Sequence, residues 1–153
     1  MRRWLFHPRV TLATRLILGL VFLLAALPKI ADPPGFAKAI WAYDLVPAWG
    51  LNLLALGLPW LECFAGLALV LGFWVRAATL WLGVMLLAFT AALAINLARR
   101  HPVDCGCFGQ AAPKSEAARL TDMRWSLLRD AGLLLLVVQV LAAVRRKPAG
   151  AGS

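Results

Sequence analysis

The most reactive residue types in this chain are two thiols one residue apart, Cys105 and Cys107, in Asp104-Cys105-Gly106-Cys107-Phe108-Gly109. A pair at this spacing can close a disulfide, cycle between dithiol and disulfide, or ligate a soft metal. A bridge needs its α-carbons about 4.4–6.8 Å apart, which residues i and i+2 can meet. The ring is small and strained, and strained exposed disulfides are the labile, catalytic kind. Gly106 relieves the backbone between the sulfurs, and Gly109 lets the chain turn after Phe108. Arg99, Arg100 and His101 precede the motif and can stabilise a thiolate, the attacking species. His101 is also suited to moving protons near neutral pH, although a solvated surface histidine is the plainer reading. One-residue spacing is tight for zinc, whose thiols usually stand two to four residues apart. Haem attachment needs two intervening residues and a following histidine, and neither is present. A redox pair is the favoured reading, and no metal is expected.

A second set of residues carries charge in apolar surroundings. Glu62 stands within a long apolar run, after Trp60 and before Cys63. A carboxyl at membrane depth must be paired, protonated or wet, and is a functional hypothesis by default. It can relay protons, pair with Lys29 or Arg15, or hydrogen-bond a quinone resting against Trp60; its bland reading is a protonated side chain bonded to a neighbouring helix. Cys63 reads mainly as a small hydrophobe. Lys29, after Pro28, is placed to end its helix and snorkel to the interface. Arg129 and Asp130 interrupt the last apolar run. Arg129 can lower a cysteine pKa, but interfacial snorkelling is the simpler reading.

These residues must be held by an apolar scaffold. Of the 153 residues, 62% are hydrophobic and 15% charged, with a mean hydropathy of +0.78, too few polar groups to coat a soluble domain. The net charge of +9 does not indicate a nucleic-acid partner, because the basic residues sit at the ends of apolar blocks, where lipid headgroups and topology explain them. The apolar blocks predict an all-α integral membrane protein, a four-helix bundle forming one domain over 1–147. Spans are expected near 10–30, 51–75, 77–97 and 125–144, with the redox loop over 98–124 and a flexible tail over 148–153. The first span has a basic flank and also resembles a signal peptide, but is read as retained. Asp32-Pro33-Pro34-Gly35 breaks the chain, and Phe36, Ile40 and Tyr43 then recur at helical spacing with Lys38 and Asp44 facing away. This predicts a short interfacial helix, with Trp41, Tyr43 and Trp49 in an aromatic belt.

Four spans put both termini on one side and the cysteine motif on the other. The sixteen basic residues divide evenly between the sides. The tight clusters Arg2-Arg3 and Arg145-Arg146-Lys147 favour cytoplasmic termini, and disulfide exchange belongs on the oxidising face. The expected location is a bacterial inner membrane with the motif on the periplasmic or extracellular side.

Between Arg15 and Gly109 the chain resembles the MauE/DoxX-like redox-associated membrane proteins, named for methylamine utilisation protein E. The resemblance rests on Arg15-Leu16-Ile17-Leu18-Gly19, Pro28-Lys29-Ile30, Phe36 to Tyr43, Leu45-Val46-Pro47, Pro59-Trp60-Leu61-Glu62 with Gly66, and most specifically the Cys-Gly-Cys motif. It implies a four-helix bundle acting with periplasmic thioredoxin-like proteins in disulfide formation or reduction, the named member maturing the disulfide-rich small subunit of methylamine dehydrogenase. The implied fold is similar to that of vitamin K epoxide reductase and the quinone-linked disulfide oxidases. Those carry two cysteine pairs; this chain has one pair and Cys63.

The resulting expectation is a membrane thiol-disulfide oxidoreductase. Cys105 and Cys107 exchange with a thioredoxin-like partner, electrons pass to or from a bilayer carrier, a quinone, near Glu62 and Trp60, and Glu62 handles protons. The rival readings are a non-catalytic anchor or assembly factor for a redox partner and a small-ligand transporter centred on Glu62. Homo-oligomers are compatible with the Gly and Ala content of the helices.

Overall fold

The computed structural model describes residues 7–100 and 115–146. The Cys105–Cys107 motif, His101 and the tail lie outside the described residues. Among the described residues five helices follow one another: α1 (Pro8–Ala31), α2 (Pro33–Ala42), α3 (Ala48–Leu71), α4 (Val75–Ala98) and α5 (Glu116–Arg146). All but α2 are long and apolar enough to cross a membrane. A helix of 24 residues reaches about 36 Å, enough for a hydrocarbon core about 30 Å thick. The protein is a helical membrane bundle.

Local chemistry sets the ends. α1 starts at Pro8, behind His7, whose Nδ1 accepts from the Arg9 N–H. It does not end at Pro28 and Lys29 but continues to Ala31, and the Asp32 N–H closes its last turn on the Pro28 carbonyl at 3.1 Å. Asp32 then caps α2, its Oδ1 accepting from the Gly35 N–H at 3.0 Å. α2 and the two residues after it bury Phe36, Ile40 and Tyr43 and leave Lys38 and Asp44 exposed, as their spacing predicts. Trp41 and Trp49 face outward, but Tyr43 does not join them: it packs with Leu93 and Met123. α3 stops at Gly72, where a φ of 90° closes the helix through the Gly72 N–H to the Ala68 carbonyl. α5 begins at Glu116, earlier than hydropathy predicts, so the expected 98–124 loop is shortened from its far side. Ser115 Oγ accepts from the Ala118 N–H and Glu116 suits the helix N-terminus, so the polar opening turns are helical.

α1 packs most extensively on α3. Gly19 and Gly66 meet there, and a Cβ added to Gly66 would stand 3.0 Å from the Gly19 carbonyl oxygen. Leu18, Leu69, Leu82 and Val140, all fully buried, centre the largest core cluster. Outward faces carry large apolar side chains such as Leu24, Leu53, Phe64 and Leu135, as a lipid-facing surface requires.

Candidate functional site

The topology brings the C-terminal ends of α1 and α4, the N-terminal end of α5, and α2 to one end of the bundle. α4 leaves toward the cysteine motif through Arg99 and Arg100, both exposed, with Arg100 in the left-handed region at φ 53°. Below this end lies a cluster of charge. Lys29 Nζ donates to Glu62 Oε2 at 2.7 Å, and each side chain is only 5% exposed. Lys29 also lies over two aromatic rings, 5.3 Å from the Phe36 centroid and 5.5 Å from that of Phe89. Snorkelling does not describe Lys29, because α2 folds over the end of α1 and removes the interface it would reach.

A second ion pair faces the same space from α5. Arg129 donates from Nε and Nη2 to Asp130 Oδ1 at 3.1 and 2.9 Å. The Asp130 side chain is 6% exposed and that of Arg129 34%, so the carboxylate is buried and the guanidinium lies half-buried beside it. Lys29, Glu62, Arg129 and Asp130 together line a cavity of about 40 Å³, whose remaining wall includes Phe22, Ala25, Leu86 and Phe89. A buried ion pair offsets its desolvation only with good geometry; this one has a short, charge-assisted bond and two ring faces.

On the other side of Phe89 an apolar groove of about 310 Å³ runs between α2, α3 and α4, past Tyr43, Leu58, Trp81 and Met85. Phe89 is common to groove and cavity.

The structure unites Lys29 with Glu62 and sets Arg129 beside them. Trp60 turns away: it is 51% exposed, stacks near Phe64 with centroids 6.1 Å apart, and lines neither space. Cys63 is half-buried and free. Arg15 is at the opposite end, its guanidinium against Gly72, so Lys29 and not Arg15 is the partner of Glu62. Sequence reasoning did not identify Phe36, Phe89 or Asp130 as parts of the site. Asp130 was legible as a second carboxylate in an apolar run, whereas the two phenyl rings carried no signal among so many apolar residues.

A family model described as methylamine utilisation protein MauE matches residues 8–143. The methylamine utilization protein MauE of Methylorubrum extorquens is 35% identical over 133 residues, 86% of this chain and 68% of that protein. Its namesake in Paracoccus denitrificans is 36% identical over 109 residues, 71% of this chain and 59% of that protein. The one from Methylophilus methylotrophus is 30% identical over 134 residues, 87% of this chain and 70% of that protein. No solved structure matches the chain.

Proposed function

The chain belongs to the MauE family, and on that premise we propose that it is a multi-pass membrane thiol-disulfide oxidoreductase serving disulfide formation in exported proteins, as part of methylamine utilisation. The reading is carried by one observation. Lys29, Glu62, Arg129 and Asp130 are buried together below the end of the bundle at which α4 leaves toward Cys105 and Cys107. Phe89 is ten residues before Arg99, so the cluster lies roughly 15 Å along the helix from that point.

In this scheme a thiolate of a thioredoxin-like partner attacks one sulfur of the Cys105–Cys107 disulfide. The partner's second thiolate resolves the mixed disulfide, leaving a Cys105–Cys107 dithiol. Arg99, Arg100 and His101 favour the thiolate forms beside the motif. The dithiol closes again by passing two electrons and two protons to a quinone in the bilayer, which becomes a quinol. The groove beside Phe89 offers the carrier a place on the site's side of the bundle, with Trp60 on the lipid face of α3. Cytoplasmic termini in a bacterial inner membrane put the motif on the oxidising side.

The test is to trap the exchange. A thioredoxin-fold protein whose second cysteine is replaced by serine, incubated with the oxidised chain in lipid, is expected to remain attached through Cys105 or Cys107. The attacked sulfur is identified by mass mapping, and the Cys105→Ser/Cys107→Ser double variant is expected to give no adduct. No adduct on either sulfur of the native chain contradicts an exchange function and leaves the assembly-factor reading.

A further inference from the structure

We infer that the 40 Å³ cavity is a hydrated proton-exchange site, in which Asp130 and Glu62 share water and exchange protons. The size and the lining define the occupant. A water needs about 10–15 Å³ and two to four polar partners, and ligand pockets begin near 300 Å³; a 40 Å³ space with four charged residues in its lining is of a size for water.

The hydrogen bonds leave those partners available. Lys29 donates to Oε2 of Glu62, and Arg129 donates to Oδ1 of Asp130. The second oxygen of each carboxylate, Oε1 and Oδ2, receives no hydrogen bond from the described residues, although Glu62 and Asp130 are each 4% exposed and line the cavity. Neither oxygen is among the buried atoms cut off from water-sized space without a partner. A buried acceptor left dry costs the full desolvation of that group, and both carboxylate residues line this one small, largely apolar cavity, which calls for water between them.

The charges around this water come from three helices: Lys29 on α1, Glu62 on α3, and Arg129 with Asp130 on α5; α4 contributes only the apolar Leu86 and Phe89. Among the described residues the lining charges form two ion pairs, Lys29 with Glu62 and Arg129 with Asp130. A proton arriving from solvent binds the free Oδ2 of Asp130, passes through the shared water to Oε1 of Glu62, and is released by the reverse route. No electron moves in this step. The assignment rests on the oxidoreductase reading only for its use, since each closure of a disulfide from a dithiol releases two protons.

Infrared difference spectroscopy of the full chain in lipid tests it, with both a pH step and a redox step as triggers. The pH step is expected to give a carboxyl C=O band that shifts within the mixing time when H2O is replaced by D2O. Asp130→Asn and Glu62→Gln are each expected to remove or displace this band, and Asp130→Glu to restore it. Ala25→Val adds volume at the cavity wall without touching a charge and is expected to slow the deuterium shift at least roughly tenfold by displacing water. A band that does not respond to D2O, or that persists unchanged in both Asp130→Asn and Glu62→Gln, overturns the site. Failure of the redox trigger alone, with the pH trigger intact, contradicts the thiol reading and leaves the hydrated site standing.

Discussion

The two ends of the bundle are built differently. At the terminus end one continuous apolar cluster joins four helices around Leu18, Leu69, Leu82 and Val140, tightened by the contact of Gly19 with Gly66. At the cysteine end the apolar packing divides into two smaller clusters, one on Tyr43, Leu93 and Met123 and the other on Phe36, Ile40 and Ala55. Between α1, α3 and α5 at this end lie two ion pairs and a cavity. Close packing of small residues holds membrane helices together at little cost, whereas buried charge costs stability unless paired. One end therefore carries the cohesion, and the other gives up cohesion for ionisable groups.

Substitutions that divide the two ends sharpen this contrast. The largest effect is expected from Glu62→Ala, which strands the Lys29 ammonium among Phe36 and Phe89 and is expected to cost about 3–5 kcal/mol. Lys29→Met combined with Glu62→Met removes both charges at similar volume and is expected to recover most of that loss in denaturant unfolding. A double variant no more stable than Glu62→Ala would mean that the pair contributes cohesion, erasing the difference between the ends. Gly66→Val drives side-chain atoms against the Gly19 backbone and Leu23 and is expected to cost about 3 kcal/mol, read in the same unfolding assay.

Two smaller effects follow. At Gly72, alanine must adopt a φ of 90° with its Cβ about 2.9 Å from Arg15 Nη1. Gly72→Ala is expected to lower stability by about 1–3 kcal/mol, with thiol chemistry unchanged because Gly72 is at the terminus end. Asn96 donates to the Tyr43 carbonyl at 3.2 Å and to that of Ala92 at 3.0 Å, while its Oδ1 is buried without a partner among the described residues. Asn96→Leu forfeits the tie between α4 and α2 but also removes a dry acceptor, so the expected loss is only about 1 kcal/mol. A loss as large as that of Glu62→Ala would place cohesion at the cysteine end after all.

The bundle was legible because hydropathy marks spans, and the interfacial helix because Phe36, Ile40 and Tyr43 share a face. The charged site was half legible. Glu62 was conspicuous and Lys29 was among its candidate partners, yet Lys29 was also assigned to the interface, because snorkelling is decided by what covers the helix end, and α2 covers it. Tyr43 was misplaced in the aromatic belt for a related reason: composition favours Tyr at an interface, while its position at the C-terminal cap of α2 packs it with Leu93 and Met123. The start of α5 was missed because hydropathy detects membrane depth rather than helix, and the polar turns from Glu116 are helical outside the apolar run. Phe36 and Phe89 matter through their ring faces, a tertiary property that spacing does not encode.

The measurement that bears most directly on the central claim is a redox titration of the chain in lipid, with thiols trapped by a mass tag at set potentials. The native chain is compared with Cys105→Ser, Cys107→Ser and Cys63→Ser. The account predicts a reversible two-electron transition that Cys105→Ser and Cys107→Ser abolish and Cys63→Ser leaves in place, shifted toward the disulfide when a short-chain quinone is added. A pair that stays in one state across the physiological range of potential contradicts the account.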